Sequence, residues 1–223
     1  VRRKIREKVR DPETARRLEP DQVLGCKRLC ADSGYFEAFN QPHVDLVDLR
    51  EDPIEELTPK GIRTRSGERE FDAIVFATGF DAMTGALLKI DLRGRGGRSL
   101  AEKWAEGPRT YLGLMTHAFP NLFMITGPGS PSVLSNMIPS IEQNVEWISD
   151  CIEHLERTSI RSIEASAAAE QEWMQHVNDV AGETLYPTCN SWYLGSNVEG
   201  KPRVFMPYVG FPTYVQKCEE VVA

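Results

Sequence analysis

The stretch "DAIVFATGFD", residues 72–81, decides how the rest of the chain is interpreted. Its run from Ala73 to Phe76 is apolar at every position, which predicts a central strand buried on both faces. Ala77 and Gly79 follow the run, and such small residues let another group approach the backbone closely because little or no side chain intervenes. The stretch therefore predicts a buried strand that ends against a flat partner.

The sequence upstream of this stretch predicts helices followed by strands. Residues 2–10 have apolar positions four apart, and "DPET" at 11–14 has the cap and proline that begin a second helix. Residues 43–50 predict a short strand. Residues 55–79 predict three strands with turns at 59–61 and 66–67, of which Ala73–Phe76 is the last.

Downstream, the pattern changes from a strand to long helices. "NLFMIT", residues 121–126, predicts a second buried strand, and residues 140–156 repeat apolar side chains every three or four positions. A further helix is predicted over 165–181 and a short strand over 204–206. The sequence as a whole predicts an α/β fold.

Composition and charge exclude several classes of protein. The net charge of the 223 residues is -7, which argues against a general nucleic-acid role. No apolar run approaches the ~20 residues of a membrane span, and the charged first residues do not resemble a secretory signal. Five scattered cysteines argue against a disulfide framework and predict a reducing cytoplasm, and the four histidines show no metal-ligand spacing. Because residue 1 is not Met, we expect a piece of a longer chain.

"GPGSPS", residues 127–132, has the spacing G-x-G-x-x-S between a predicted strand and a predicted helix. Free N–H groups at such a turn can hold an anion. However, Pro128 and Pro131 are unusual in a dinucleotide fingerprint, and no second strand ending in an acid follows. A tight strand-to-helix turn is an equal alternative. "GSNVEGKP", residues 195–202, is not a phosphate-binding loop, because Pro202 replaces the required Ser or Thr.

Two other groups of residues leave both a functional and a structural interpretation open. Lys27 and Arg28 are either a solvated pair or a fixed positive charge facing an anionic cofactor, for which arginine is suited because it stays protonated. Trp192 and Tyr193 lie in a polar loop with Gly195. They form either a flap over a ligand or anchors that hold the loop to the core.

Seven blocks of the sequence, in this order, resemble the FAD- and NADPH-dependent Baeyer–Villiger monooxygenases. The blocks are residues 5–20, 27–49, 53–64, 72–97, 107–137, 140–150 and 183–210. The resemblance implies only the C-terminal portion of a flavoprotein with two dinucleotide-binding domains. Residues 1–76 would end the NADPH domain, and residues 77–223 would form the C-terminal part of the FAD domain with its helical insertion.

The resemblance also implies an activity, cofactors and partners. The family uses NADPH, FAD and O₂ to insert one oxygen next to a ketone carbonyl, giving an ester or a lactone. The missing N-terminal half of the enzyme would carry both glycine fingerprints, so this chain alone would be inactive. We expect a cytoplasmic monomer without nucleic-acid or membrane partners. A related monooxygenase that oxidises nitrogen or sulfur and a non-catalytic binding module are the alternatives.

Individual site residues follow from the same resemblance. Arg28 matches the active-site arginine, and Lys27 matches the lysine that faces the 2'-phosphate of NADPH. Ala77, Thr78 and Gly79 match the segment where the chain returns to the flavin domain. The remaining matches are Ser132, Val133 and Leu134 in a substrate-pocket bulge, Met137 in the same wall near the cofactor, and Trp192 on the loop that closes over the nicotinamide. No metal is implied.

Overall fold

The computed structural model describes residues 1–221, which divide into two compact units. The first unit runs from Val1 to Thr78, and the second begins at Gly79, so the boundary falls inside the "ATG" of the opening stretch. Each unit has an apolar core of its own. The assignment of residues 1–76 and 77–223 to an NADPH and an FAD domain stays a prediction.

The helices of the first unit follow local sequence signals. They are α1 (Arg2–Lys8), α2 (Pro12–Leu18) and α3 (Tyr35–Ala38). Asp11 caps α2 by accepting a hydrogen bond from the Thr14 amide at 2.7 Å, and Pro12 occupies the first turn, where no N–H is needed. The core of the unit consists of the buried side chains Ile5, Val9 and Ala15. The two helices predicted from the first 18 residues are therefore confirmed.

The sheet of the first unit is a three-stranded antiparallel meander. Its strands are β1 (Ile54–Leu57), β2 (Gly61–Thr64) and β3 (Gly67–Glu70), in the order β1-β2-β3. Both predicted turns are present. Gly61 has to be a glycine, because a Cβ at this position would collide with the carbonyl group of Arg69 on β3.

The prediction of a buried strand at Ala73–Phe76 is wrong for this chain. The third strand is β3 instead, and the segment that follows has no strand structure, with Val75 88% and Phe76 65% exposed. A strand exists only where a neighbouring backbone pairs with it. Within residues 1–221, no backbone group pairs with residues 73–76. The strand predicted over 43–50 is also absent, because its backbone forms local turn bonds, such as that from the Val44 amide to the carbonyl of Gln41 at 3.2 Å, and pairs with no strand among the described residues.

The second unit consists mainly of helices and loops. Its helices are α4 (Gly85–Leu88), α5 (Leu100–Lys103), α6 (Met137–Thr158), α7 (Ala167–Gly182) and α8 (Phe211–Glu219). Side-chain caps mark the start of three of these helices: Ser99 caps α5, Asn136 caps α6 and Ser166 caps α7. The largest core cluster includes Trp173 and Val177 of α7 and Tyr214 of α8.

Three details of the second unit differ from the sequence predictions. Residues 121–126 and 204–206 form no strand, although Met124 and Met206 are buried. On α6, Val145 and Ile152 of the predicted apolar stripe are exposed, and the buried residues are Ser140 and Asn144. The apolar periodicity predicted helix α6 correctly, but it did not predict which face of the helix is buried.

A buried ion pair joins α5 to α7. Glu170 and Lys103 are both largely buried, and the Lys103 Nζ atom lies 2.9 Å from a carboxylate oxygen of Glu170. Thr116 Oγ1 and the His117 amide also donate to this carboxylate, at 3.1 and 2.7 Å. Because these donors satisfy its oxygens, the buried charge is compatible with a stable core.

Two further features of residues 1–221 concern a membrane span and a metal site. Every helix among them is too short or too polar to cross a bilayer, and they contain no group of three possible metal ligands. Cys30, Cys151 and Cys218 are free thiols, so the five cysteines cannot form the several bridges of a disulfide framework. Burial raises the pKa of Cys218 to about 11, so this thiol stays protonated near neutral pH and is a poor nucleophile.

Candidate functional site

The glycine loop, residues 127–132, is fixed by contacts from several parts of the second unit. Thr110 Oγ1 donates to the carbonyl of Pro128 at 2.6 Å, and Trp173 Nε1 donates to the carbonyl of Gly129 at 3.2 Å. The backbone N–H of Tyr208 donates to the carbonyl of Ser130 at 2.7 Å. The loop is therefore held as a rigid turn.

The backbone donors of this loop are used within the protein. The N–H of Gly129 donates to the carbonyl of Met206, and the N–H of Ser130 donates to the carbonyl of Gly127 at 3.1 Å. A Cβ at Gly127 would collide with the carbonyl of Gly113. Packing thus accounts for the glycine, and the two engaged N–H groups favour the tight-turn interpretation over a phosphate cradle.

The predicted substrate-pocket bulge follows directly after the glycine loop. Ser132 is buried and has a φ of 30°, in the left-handed region that a side chain rarely adopts, whereas Val133 and Leu134 are half-buried. A single 3₁₀ turn joins these three residues, and Met137 begins α6 shortly after it. The structure therefore brings all four predicted pocket residues onto one short segment.

Residues 79–84 lie between this bulge and the Trp192 loop, which is the irregular segment 183–210 between α7 and α8. On one side, the Met83 Sδ atom lies 3.9 Å from Ser132 Oγ. On the other side, Lys201 Nζ contacts the Asp81 carboxylate and donates to the carbonyl of Ala82 at 2.8 Å. Gly79 begins the segment with a φ of 89°. The second unit thus gathers Gly79, the Ser132 bulge and the Trp192 loop around one segment.

The Trp192 loop is anchored by aromatic and polar contacts. The indole ring of Trp192 is half-buried and lies against the ring of Tyr193, with centroids 4.4 Å apart, whereas Tyr193 itself is buried. Asn197 Nδ2 donates to the carbonyl of Phe80 at 2.8 Å. Lys201, the lysine of "GKP", is held by Asp81, which agrees with the exclusion of a phosphate-binding loop.

The other predicted site residues belong to the first unit. Lys27 and Arg28 lie in the irregular segment between α2 and α3, and both side chains are exposed. Ala77 and Thr78 end the unit and are also exposed. The role of each of these residues stays a prediction.

The residues present fit part of an FAD site. Ala77, Thr78 and Gly79 are exposed, and a Cβ at Gly79 would meet only Asn197 Nδ2, at 3.8 Å, so a flat ring can approach this backbone. The glycine loop does not offer the donors of Gly129 and Ser130 to a diphosphate. A flavin ring would have room at this backbone and other residues would have to bind the phosphates, but the cofactor role of residues 77–79 stays a prediction.

Sequence reasoning missed the residues that connect the two loops. No sequence signal selects Asp81, which follows the predicted strand, or Lys201, which belongs to the excluded motif at residues 195–202. Their contact joins positions 120 residues apart in the chain. No local pattern marks such a pair, because a carboxylate next to a turn and a lysine in a loop are both ordinary surface residues.

No protein-family model matches the chain, but individual known proteins do. A Baeyer–Villiger monooxygenase of Pseudooceanicola batsensis is 43% identical over 210 residues, which are 94% of this chain and 38% of that protein. The phenazine N-monooxygenase PhzNO1 of Lysobacter antibioticus is 42% identical over 223 residues, covering 99% of this chain and 41% of that protein.

Solved structures match the whole chain as well. The closed crystal structure of cyclohexanone monooxygenase has a TM-score of 0.94 and 43% identity, covering 100% of this chain and 42% of that one. The structure of OTEMO in complex with FAD and NADP has a TM-score of 0.91 and 38% identity, covering 99% and 41%. The predicted α/β fold class is thereby confirmed. The chain is therefore related in sequence and fold to the Baeyer–Villiger monooxygenases, and it spans about two fifths of their length.

Proposed function

We propose that the complete protein uses NADPH and FAD to insert one oxygen atom of O₂ next to a ketone carbonyl, producing an ester or a lactone. The observation that carries this proposal is the similarity of nearly the whole chain to a protein named Baeyer–Villiger monooxygenase, at 43% identity. The OTEMO structure, with FAD and NADP, supports the same pair of cofactors. Bound FAD would supply the reactivity towards O₂, and residues outside this chain would complete both cofactor sites.

The second unit would form one wall of the reaction site. Gly79, with Ala77 and Thr78 before it, offers open backbone to the flavin ring. Ser132, Val133, Leu134 and Met137 would shape the ketone pocket. Ser132 is the buried last residue of the rigid glycine loop, and the other three follow it and are half-buried. Trp192 would cover the nicotinamide, because its half-buried indole lies on an anchored loop.

Arg28 would provide the charge that oxygen insertion requires. A guanidinium stays protonated at any physiological pH, and its fixed positive charge stabilises negative charge that develops on a reacting oxygen. It can also polarise the oxygen of the ketone. Lys27, next to it and equally exposed, would bind the 2'-phosphate of NADPH. Both proposed roles, that of Arg28 and that of Lys27, depend on the positive charge of the side chain.

Substitution of Arg28 tests the proposal in the complete enzyme. We expect Arg28→Ala to lower ester formation by about 100-fold or more, since loss of one charge-stabilising donor has effects of this size. NADPH should still be consumed, with hydrogen peroxide released. Arg28→Lys should recover only part of the activity, because a lysine keeps the charge but not the planar fork of donors.

The control is Arg65→Ala, which removes another exposed arginine of the first unit. It should leave both NADPH consumption and ester formation unchanged. Ester formation by Arg28→Ala at a near-normal rate would show that the role assigned to Arg28 is wrong.

The identity of the substrate is a further part of the proposal. We infer bulky or aryl-alkyl ketones as substrates, because the seven sequence blocks resemble phenylacetone monooxygenase most among the Baeyer–Villiger monooxygenases. Several relatives are named for ketones, among them a cyclohexanone and a cyclopentanone monooxygenase. A monomeric state and a cytoplasmic location remain predictions.

Oxidation of nitrogen is the second candidate, because one relative at 42% identity is named a phenazine N-monooxygenase. Product analysis with a ketone, a thioether and an aromatic amine distinguishes the two reactions. A lactone or ester supports the first candidate, and an N-oxide without ester supports the second. A folded complete protein that binds no flavin would instead indicate a non-catalytic module.

A further inference from the structure

The side chain of Lys201 runs from the Trp192 loop to the segment 79–84. Its Nζ atom contacts the carboxylate of Asp81 and donates to the carbonyl of Ala82 at 2.8 Å. The lysine side chain is only 11% exposed, whereas that of Asp81 is 38% exposed. Because the carboxylate is partly in water, the ion pair adds little to the stability of the fold, but the two bonds fix where the ammonium group lies.

The stem of the same side chain lies against Gly195. A Cβ at Gly195 would stand only 3.0 Å from the Cδ atom of Lys201, and the glycine has a φ of 79°. Gly195 directly follows the 3₁₀ turn Trp192–Leu194. The lysine stem is therefore in contact with the end of the turn that carries Trp192, while its charged end lies on the segment 79–84.

Asn197 joins the same two parts of the second unit. Its Nδ2 atom donates to the carbonyl of Phe80 at 2.8 Å, so side chains of the Trp192 loop bond to each of residues 80–82. Backbone bonds of the loop close to these side chains are longer, at 3.4 Å for the amides of Ser196 and Lys201, and bonds of this length are weak. The side-chain bonds are therefore the closer restraints on this part of the loop.

The segment 79–84 carries this restraint to the rest of the candidate site. A Cβ at Gly85 would collide with the side chain of Asp81, so the carboxylate is packed closely against the backbone behind it. Two residues further on, the Met83 Sδ atom lies 3.9 Å from Ser132 Oγ in the bulge. A lysine held by Asp81 thus sets the position of the Trp192 loop relative to the bulge.

We propose that Lys201 is a positioning residue for the nicotinamide cofactor: its ammonium group holds the Trp192 loop on the segment 79–84 and so keeps the indole of Trp192 in place to cover the nicotinamide. This inference rests on the proposed function. Lys201 acts through the loop and does not itself contact the cofactor. Loss of the contact should therefore weaken the binding of NADP⁺ while the core of the second unit stays folded.

The test compares Lys201→Met, Asp81→Asn and the double variant in the complete flavoenzyme. The readouts are the dissociation constant of NADP⁺, the amide hydrogen exchange of residues 192–198 without NADP⁺, and the melting temperature. Methionine keeps most of the lysine stem without its charge. In Lys201→Met, we expect the dissociation constant to rise by about three- to tenfold, the value of about one hydrogen bond, and exchange to become faster by a similar factor.

The other two variants test whether the effect comes from the contact itself. Asp81→Asn leaves the bond from Lys201 to the carbonyl of Ala82 in place, so its effect on both readouts should be smaller, about two- to fourfold. The double variant should match Lys201→Met, because both substitutions break the same contact. Effects that multiply in the double variant would show that the two residues act independently and would overturn the inference.

Lys217→Met is the matched control. It removes the ammonium group of an exposed ion pair, in which the Lys217 Nζ atom lies 2.9 Å from the carboxylate of Glu220, and it should leave all three readouts unchanged. A Lys201→Met variant that melts lower but keeps the wild-type dissociation constant of NADP⁺ would have lost only stability, and the inference would be wrong. If Lys201→Met does not fold, Asp81→Asn decides by the same criterion. A wild type that binds no NADP⁺ contradicts the proposed function itself, whereas hydrogen exchange still shows whether Lys201 holds the loop.

Discussion

Ala73–Phe76 and residues 121–126 are both short apolar segments, but their surroundings differ sharply. In the first segment, Val75 is 88% exposed, whereas Met124 in the second is 4% exposed. The backbone of the second segment is paired: the Met124 amide donates to the carbonyl of Leu114 at 2.8 Å, and the Thr126 amide donates to Asn144 Oδ1 at 2.8 Å. No such bond forms at residues 73–76 within the part of the chain that is described.

The difference shows that an apolar sequence favours burial but does not determine whether another part of the backbone lies beside it to pair with it. Residues 121–126 find their partners in a loop and in α6 of the same unit. Residues 73–76 would need a neighbouring strand. No such strand lies beside them within residues 1–221, and the chain spans about two fifths of the length of its relatives.

The largest expected effect comes from placing a charge in each segment of the 223-residue chain. Met124→Asp should lower the free energy of unfolding by at least about 4 kcal/mol, because the carboxylate would be buried without a partner. Val75→Asp should change it by less than about 0.5 kcal/mol, since that side chain is already in water. Urea unfolding of both variants measures the two values. Equal destabilisation would show that residues 73–76 are buried in solution and would remove the contrast.

A smaller effect is expected from the side chain that pairs with the second segment. Asn144→Ala removes the acceptor of the Thr126 amide and a contact with the Tyr214 hydroxyl, at 2.8 and 3.1 Å. We expect a loss of about 1–3 kcal/mol in unfolding free energy, because buried polar groups are left unpaired. Asn178→Ala, at an exposed position on α7, is the control and should be nearly neutral. If both variants unfold alike, side-chain pairing does not hold this segment in place.

The helices were predictable because their signals are local. Asp11 and Pro12 mark the start of α2, and the spacing of apolar residues marks α6 and α7. The strands were less predictable, because a strand depends on a partner that can lie anywhere in the chain or outside it. The sequence also did not predict which residues of α6 are buried. Asn144 is buried and hydrogen-bonds to Thr126 and Tyr214, and apolar periodicity does not detect a buried polar residue.

The candidate site was predictable only in its parts. The resemblance to a known family suggested roles for Gly79, Ser132 and Trp192, which stay predictions, and it did not predict the polar contacts that hold their segments together. Asp81 and Lys201 are 120 positions apart, so only the folded structure reveals that they meet.

The most direct test of the proposed function is to follow one oxygen atom through the reaction. The complete protein is incubated with NADPH, cyclohexanone and isotopically labelled O₂, and the product is analysed by mass spectrometry. We predict a lactone that carries one labelled oxygen atom for each NADPH consumed. NADPH consumption that yields only hydrogen peroxide, or a protein that leaves every ketone tested unchanged and forms an N-oxide instead, would contradict the proposed function.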